Sequence, residues 1–263
     1  MEKSTWKPPR QPTLRKINEI LIQEYGARQP TPRDPLDGLV LIILSQATND
    51  LNCDRAFASL KSTFPTWEEV LAASDEAVAD AIRSGGLANQ KARRIRQLLR
   101  EIQQDRGNLD LNWMHDATAA ECETYLSQFH GVGPKTVACV LVFFLGKPAF
   151  PVDTHVHRVT KRLGWIRPNA SAEEAHKVLR AAVPDECKLD LHVNLISHGR
   201  AICKAQGSGG PKCGACVLRK YCTYGKSLRL SRETVRRHTQ STFHGSDFFV
   251  TVESASPDTD KVL

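Results

Sequence analysis

The segment Leu126-Ser127-Gln128-Phe129-His130-Gly131-Val132-Gly133-Pro134-Lys135-Thr136-Val137-Ala138 concentrates groups whose types and spacing could do chemistry. It reads as a helix end, a tight Gly131-Val132-Gly133 turn and the first turn of a second helix. Both glycines allow positive φ, and Pro134 suits the first helical position, where its missing N–H costs nothing. Such a turn aims the free N–H groups of a helix N-terminus outward, a site for a phosphate oxygen. Lys135 stands one residue inside that helix, where a bound backbone would pass. An ammonium there opposes the macrodipole by about 0.3–1 kcal/mol, less than a full pKa unit. Desolvation or a neighbouring cation must therefore supply the rest if this lysine is to act as a neutral nucleophile. Taken alone, the same residues also fit a plain connector followed by a solvated phosphate contact.

Asp153 can come within reach of Lys135. A helix from Pro134 to Leu145 rises about 18 Å. The extended residues 146–152 then span up to ~23 Å, so the chain can double back and set Asp153 beside the hairpin's helix start. Asp153 also precedes a helix beginning at Thr154, which makes it an N-cap on any reading. A direct ion pair with Asp153 would raise the lysine's pKa and blunt it. The assignment that avoids this conflict gives Asp153 the stabilisation of developing positive charge and proton transfer, with contact to Lys135 mostly indirect.

The cysteines carry a second chemical signal. Of eight, four lie close together as Cys203-x9-Cys213-x2-Cys216-x5-Cys222. Cys53, Cys122 and Cys139 fall within helical patterns and read as small buried apolar residues, and Cys187 stands apart. Reducing interiors disfavour disulfides, so the clustered set points to a metal. By spacing alone, tetrahedral zinc and an iron–sulfur cluster fit equally.

The elements that position these groups read as helical throughout. Thr13 can cap a first helix whose apolar positions Leu14, Ile17, Leu21 and Tyr25 keep helical spacing, and Gly26 ends it. Asp34-Pro35 opens a helix through Leu39-Val40-Leu41-Ile42-Ile43-Leu44, apolar all round and therefore deep in a core. Thr66 with Glu69, Thr118 with Glu121 and Ser171 with Glu174 have capping-box spacing. Asn89 begins a basic helix with Ile95, Leu98, Leu99 and Ile102 on its buried side. The sum is an all-α protein of about ten short helices. Apolar faces on the first helix and on the helices after Ser171 predict that the chain's ends pack together. That arrangement gives a lobe of residues 13–33 and 146–223, a second lobe of 34–145 inserted between, and a cleft where they meet. Residues 1–12 form an N-terminal arm and 224–263 an extension, in which Thr242-Phe243 and Phe248-Phe249-Val250-Thr251-Val252 could add a short ordered piece.

Composition agrees with a polyanion partner. The 263 residues carry 36 Lys plus Arg against 29 Asp plus Glu, a net charge of +7, with a pI near 9.0. This balance favours nucleic acid through counterion release. At 41% hydrophobic residues the chain is globular. No run approaches the ~20 apolar residues of a membrane span, and the start lacks a signal peptide's apolar stretch, so a cytoplasmic, nucleoid-associated monomer is expected.

Taken together, the hairpin, Pro151-Val152-Asp153-Thr154-His155-Val156-His157-Arg158, His198-Gly199-Arg200 and the four cysteines, in that order, resemble the endonuclease III family of DNA glycosylases. The resemblance covers roughly residues 13–223. It implies the two-lobed, all-α helix-hairpin-helix DNA glycosylase fold and a 4Fe–4S cluster on Cys203, Cys213, Cys216 and Cys222, with zinc as the alternative. It also implies Lys135 as nucleophile, Asp153 as essential carboxylate, and backbone contacts to DNA from Gly131, Val132 and Gly133. Ser45-Gln46-Ala47-Thr48 is similar to the family's glutamine-bearing probe, and Gly86-Leu87-Ala88-Asn89-Gln90-Lys91-Ala92 to its wedge loop, with Leu87 intercalating. Read without the resemblance, Gln46 is a polar helix end and Leu87 a buried leucine. His155 would touch the DNA backbone, and Lys204, Lys212, Arg219 and Lys220 would lie near phosphates. The first cysteine gap has nine residues where the family usually has six, a loop lengthening that costs only ~0.3 kcal/mol.

The implied activity is that of a bifunctional glycosylase and AP lyase on double-stranded DNA. It would remove oxidised pyrimidines and cut at abasic sites by β-elimination. The alternatives are a monofunctional mismatch or damaged-base glycosylase on the same fold, which Lys135 argues against, and a non-catalytic DNA-binding module with a structural metal.

Overall fold

The computed structural model describes residues 6–228. The segments around Thr242-Phe243 and Phe248–Val252 lie outside the described residues. Among those described, twelve α-helices are joined by short 3-10 turns and one π turn. They run α1 Gln11–Tyr25, α2 Pro35–Ser45, α3 Asp50–Thr63, α4 Trp67–Ala72, α5 Asp75–Ala81, α6 Ala88–Arg106, α7 Ala119–Leu126, α8 Pro134–Cys139, α9 Thr154–Leu163, α10 Ala172–Ala182, α11 Lys188–Ala201 and α12 Thr223–Ser227. No helix among the described residues is long and apolar enough to cross a membrane.

Two hydrophobic cores organise them. One gathers buried side chains from α2 to α8, including Leu39, Ile43, Leu60, Ile95, Leu99 and Val140. The other joins Leu14, Ile17 and Leu21 of α1 to Phe150, Val159, Leu179, Leu191 and Leu218. The chain therefore leaves the second core after α1, builds the first, and returns. The apolar run of α2 is buried all round, as its pattern demands, with only Asp37 of residues 36–44 escaping full burial. Gly38 explains how α2 approaches the turn Val140–Phe144 so closely. A Cβ there would stand 2.5 Å from the Phe144 ring.

Local capping follows the sequence, with some corrections. Asp34 accepts from the N–H groups of Leu36 and Asp37, and Thr66, Thr118 and Ser171 each cap their helices. A reciprocal capping box forms at Thr118–Glu121. The first helix starts at Gln11, ahead of Thr13, because Pro12 in its first turn already supplies helical φ without needing a hydrogen bond. The helix expected over Pro134–Leu145 is α-helical only to Cys139. Val140–Phe144 is a π turn, closed by Leu145 N donating to Val140 O at 3.1 Å. Cys53, Cys122, Cys139 and Cys187 are all buried. In α12, Gly225 is buried, and Tyr224 packs on the second core.

Candidate active site and nucleic-acid interface

A cleft of about 680 Å³ opens where the two cores meet. Lys135 of α8 reaches it from one core and Asp153, before α9, from the other, so the return of the chain brings together the two residues singled out in the sequence. One Asp153 carboxylate oxygen accepts from Val156 N at 2.7 Å, capping α9. Cys139, one turn after Lys135, also lines the cleft; burial pushes its thiol up while the lysine charge pulls the other way. An ion pair between Arg200 and Asp50, at 3.1 Å, joins the end of α11 to the start of α3 across the cleft.

Sequence reasoning missed His192, a buried side chain on α11 that faces the same cleft. Its Nδ1 lies 2.9 Å from the Pro151 carbonyl, so Nδ1 carries the proton and donates, fixing the backbone two residues before Asp153. Phe143 and Phe150 stack around the ring. Burial pushes its pKa down to about 4; Asp153 pulls it up and Lys135 pushes it further down. An unfolded histidine near 6.5 binds the proton that folded His192 refuses. The stability this group contributes is therefore fully present above about pH 6.5 and is lost as pH falls towards about 4. Thermal melts across this window should show the loss, and His192→Gln should flatten that part of the profile.

The two loops expected to enter a duplex share a backbone feature, and the one at 45–48 lines the cleft. Ala47 and Leu87, with φ of 53° and 51°, have left-handed backbones that non-glycine residues adopt at some cost. Leu87 is 54% exposed, which overturns the buried-leucine reading. The left-handed turn at the N-terminus of α6 carries the side chain out instead of letting it fold onto the core. Gln46 lines the cleft at the C-terminus of α2.

In the hairpin, Gly131 has φ of 75°, and a Cβ there would stand 3.0 Å from the Arg94 guanidinium. Gly133 departs from expectation. Its φ is −87°, in ordinary extended backbone, and a Cβ would meet nothing within 4 Å. The smallness of Gly133 therefore keeps the space before α8 open and is not needed for the turn. No side chain caps α8, so its first-turn N–H groups are left for a ligand.

His155 is not among the residues lining the cleft; it packs against Gly199 with Nδ1 3.0 Å from the Arg158 guanidinium. His157, one turn after Asp153, lines the cleft in its place.

The four clustered cysteines line one small cavity against the second core, together with Val159, Leu163 and Leu218. Donors surround the sulfurs: Arg162 Nη1 is 3.2 Å from Cys203 Sγ, Gly225 N is 3.3 Å from Cys222 Sγ, and His198 Nε2 is 3.4 Å from Cys216 Sγ. Burial raises the thiols of Cys213, Cys216 and Cys222, Cys216 to about 12, and the neighbouring cysteines add to each. Among the described residues, no three metal-ligating side chains converge closely enough to hold a single ion. Arg219 donates through Nε and Nη2 to the Gly225 and Leu228 carbonyls.

Comparison with known proteins assigns this architecture. Residues 40–185 match the HhH-GPD superfamily of base excision DNA repair proteins. Endonuclease III of Thermotoga maritima is 32% identical over 225 residues, covering 84% of this chain and 99% of its own length. The chain belongs to the HhH-GPD superfamily, on its endonuclease III side. A provisionally named DNA glycosylase of Arabidopsis thaliana is 49% identical over 165 residues, covering 63% of this chain, and the chain spans only 56% of that relative. A trapped covalent intermediate of endonuclease III with DNA, an estranged-adenine complex, superposes with a TM-score of 0.68 at 30% identity, over 83% of this chain and 98% of that one. The HhH-GPD fold accounts for the helical hairpin at 119–139 and for the cleft behind it.

Proposed function

We propose that this HhH-GPD protein is a bifunctional DNA glycosylase and AP lyase, in which Lys135 is the nucleophile and Asp153 the essential carboxylate. The observation that carries the reading is the meeting of these two side chains in one cleft, directly behind an uncapped helix N-terminus. The protein binds double-stranded DNA containing damaged bases or abasic sites. Amides of Gly131, Val132 and Gly133 and the first turn of α8 grip phosphate, Leu87 enters the duplex, and Gln46 takes the vacated space. His155 meets the backbone at the rim: its Nδ1 accepts from Arg158, leaving Nε2–H to donate to a phosphate. The lobes are residues 13–33 with 146–223 and residues 34–145; the first core extends slightly past this boundary to Ala149, and the second resumes at Phe150.

In the reaction, neutral Lys135 Nζ attacks the sugar C1′ and the C1′–base bond breaks, the base leaving with a proton. The resulting amine–sugar adduct opens to a Schiff base, and loss of the C2′ proton expels the 3′ phosphate. Asp153 offsets positive charge on the sugar and carries protons. Oxidised pyrimidines are the substrate class. The cleft is wide enough for an extruded base and offers hydroxyls of Ser45 and Thr48, carboxylates of Asp50 and Asp54, and the Arg33 guanidinium to polar ring substituents. Incubation with a duplex containing one abasic site, and with a panel of lesion-bearing duplexes, should give strand cleavage 3′ to the site. Binding without base release or cleavage would leave a DNA-binding module instead.

A 4Fe–4S cluster on Cys203, Cys213, Cys216 and Cys222 fits the donor set. The four cysteines line one cavity, and Arg162, His198 and the Gly225 amide stand at their sulfurs, donors suited to metal-bound thiolates. Bound there, the cluster supplies a rigid cross-link for the segment 203–222. Purified protein is expected to be yellow-brown, and Cys213→Ser to lose colour and melting temperature together. Colourless protein with stoichiometric zinc after anaerobic purification would contradict the assignment.

The hairpin makes a further expectation. Gly133→Val fills the open space before α8, so affinity for all duplexes should fall alike, lesion-bearing or not, with melting temperature unchanged. Titrations of matched intact and abasic duplexes at two salt concentrations check this; a change in lesion preference at unchanged affinity would contradict it.

A further inference from the structure

We propose that Arg94 is a positioning residue for base extrusion: it ties the probing amide of Gln46 to the phosphate-gripping hairpin, so that gripping the strand presents the probe. The inference rests on the preceding assignment of Gln46 and Leu87 as the groups that enter the duplex.

The observations lie along one face of α6. Its first residue follows Leu87, and the helix then passes behind both of the other DNA-facing segments. Lys91, one turn in, is only 4% exposed, and its ammonium donates at 2.7 Å to two backbone carbonyls, Leu44 and Gly85. Leu44 lies two residues before Gln46, and Gly85 two residues before Leu87. One buried cation thus anchors both loops at their roots, next to the two left-handed residues Ala47 and Leu87.

Arg94, three residues later, spans the remaining gap. Its Nη1 donates to Gln46 Oε1 at 2.8 Å, and its Nη2 donates to the Gly131 carbonyl. A guanidinium has no acceptor, so the Gln46 atom facing it must be the oxygen. The amide nitrogen is thereby turned outward as a donor, the orientation needed to meet an acceptor on the orphaned base. Lower on the same helix, Glu101 accepts from His130 N at 3.2 Å, fixing the approach to the hairpin a second time. Gly131 fits this arrangement, since a Cβ there would strike Arg94. The planar fork of Arg94 reaches its two partners from two separate nitrogens, a spread that the single nitrogen of a lysine does not offer.

The test uses the full-length holoprotein and a duplex with 2-aminopurine opposite a tetrahydrofuran abasic-site analogue. The rise in fluorescence reports unstacking of the 2-aminopurine opposite the site. Arg94→Met should slow this rise about tenfold or more, the loss of one charged hydrogen bond at the probe, while duplex affinity changes little. Arg94→Lys should retain affinity yet fail to restore the rate. Cleavage of an abasic site in an unpaired bubble, which needs no extrusion, should proceed at the wild-type rate in both variants. Gln46→Met should be as slow as Arg94→Met, and the double variant no slower than either, because Arg94 acts through Gln46. A wild-type rate in Arg94→Met, a faster one, or effects that multiply in the double variant would overturn the proposal while leaving the probe assignment intact. Wild-type rates in Gln46→Met and Leu87→Ala would overturn both.

Discussion

Lys135→Gln is expected to abolish strand cleavage, by at least about a thousandfold, while leaving affinity for lesion-bearing duplex nearly unchanged. The separation follows from the architecture. Phosphate is gripped by backbone amides of the 131–133 turn and of α8, which the substitution does not touch, whereas the bond-forming nitrogen belongs to the side chain alone. Glutamine keeps length and polarity, so α8 and the burial of Cys139 beside it should persist. Single-turnover cleavage and equilibrium binding on the same abasic duplex measure the two effects independently.

Asp153→Asn should produce the second large loss. Base release is expected to slow by about a hundredfold to a thousandfold, the scale of removing one preorganised electrostatic contact from a water-poor site. The fold should survive, because an asparagine oxygen can still accept from Val156 N and cap α9. Asp153→Ala would confound the two roles by removing the cap as well, at about 1 kcal/mol. Comparing base release with cleavage of a pre-formed abasic site shows where the carboxylate acts. A loss confined to base release assigns it to charge on the sugar, and a matched loss in both steps adds proton transfer during elimination.

Much of the fold was legible because it is written in short-range chemistry. The wholly apolar stretch 39–44 could only be interior, and Asp34, Thr66, Thr118 and Ser171 stand where helices need caps. The cleft pair came from the family resemblance, and chain reach with helix rise said only that the two could meet; the π turn at 140–144 shortens the path in a way that no local signal announces. His157 could have been found by helical phase. Asp153 and His157 are four residues apart and share a face, whereas His155 lies on another. Gly133 was misread because glycine suggests positive φ, when the structure uses only its lack of a side chain. Contacts distant in sequence left no trace: Arg94 and Gln46 are 48 residues apart, and Lys91 reaches 47 residues back to Leu44. Such pairs depend on how α2 and α6 pack, which pattern alone does not encode.

The central claim, that Lys135 forms the covalent link to the sugar, is tested most directly by borohydride trapping on an abasic duplex, followed by mass mapping of the adducted peptide. The account predicts that wild-type protein is trapped through a peptide containing Lys135, and that Lys135→Gln yields no adduct under conditions where it still binds the duplex. Trapping of Lys135→Gln at wild-type yield, or an adduct mapped to another amine, would contradict it.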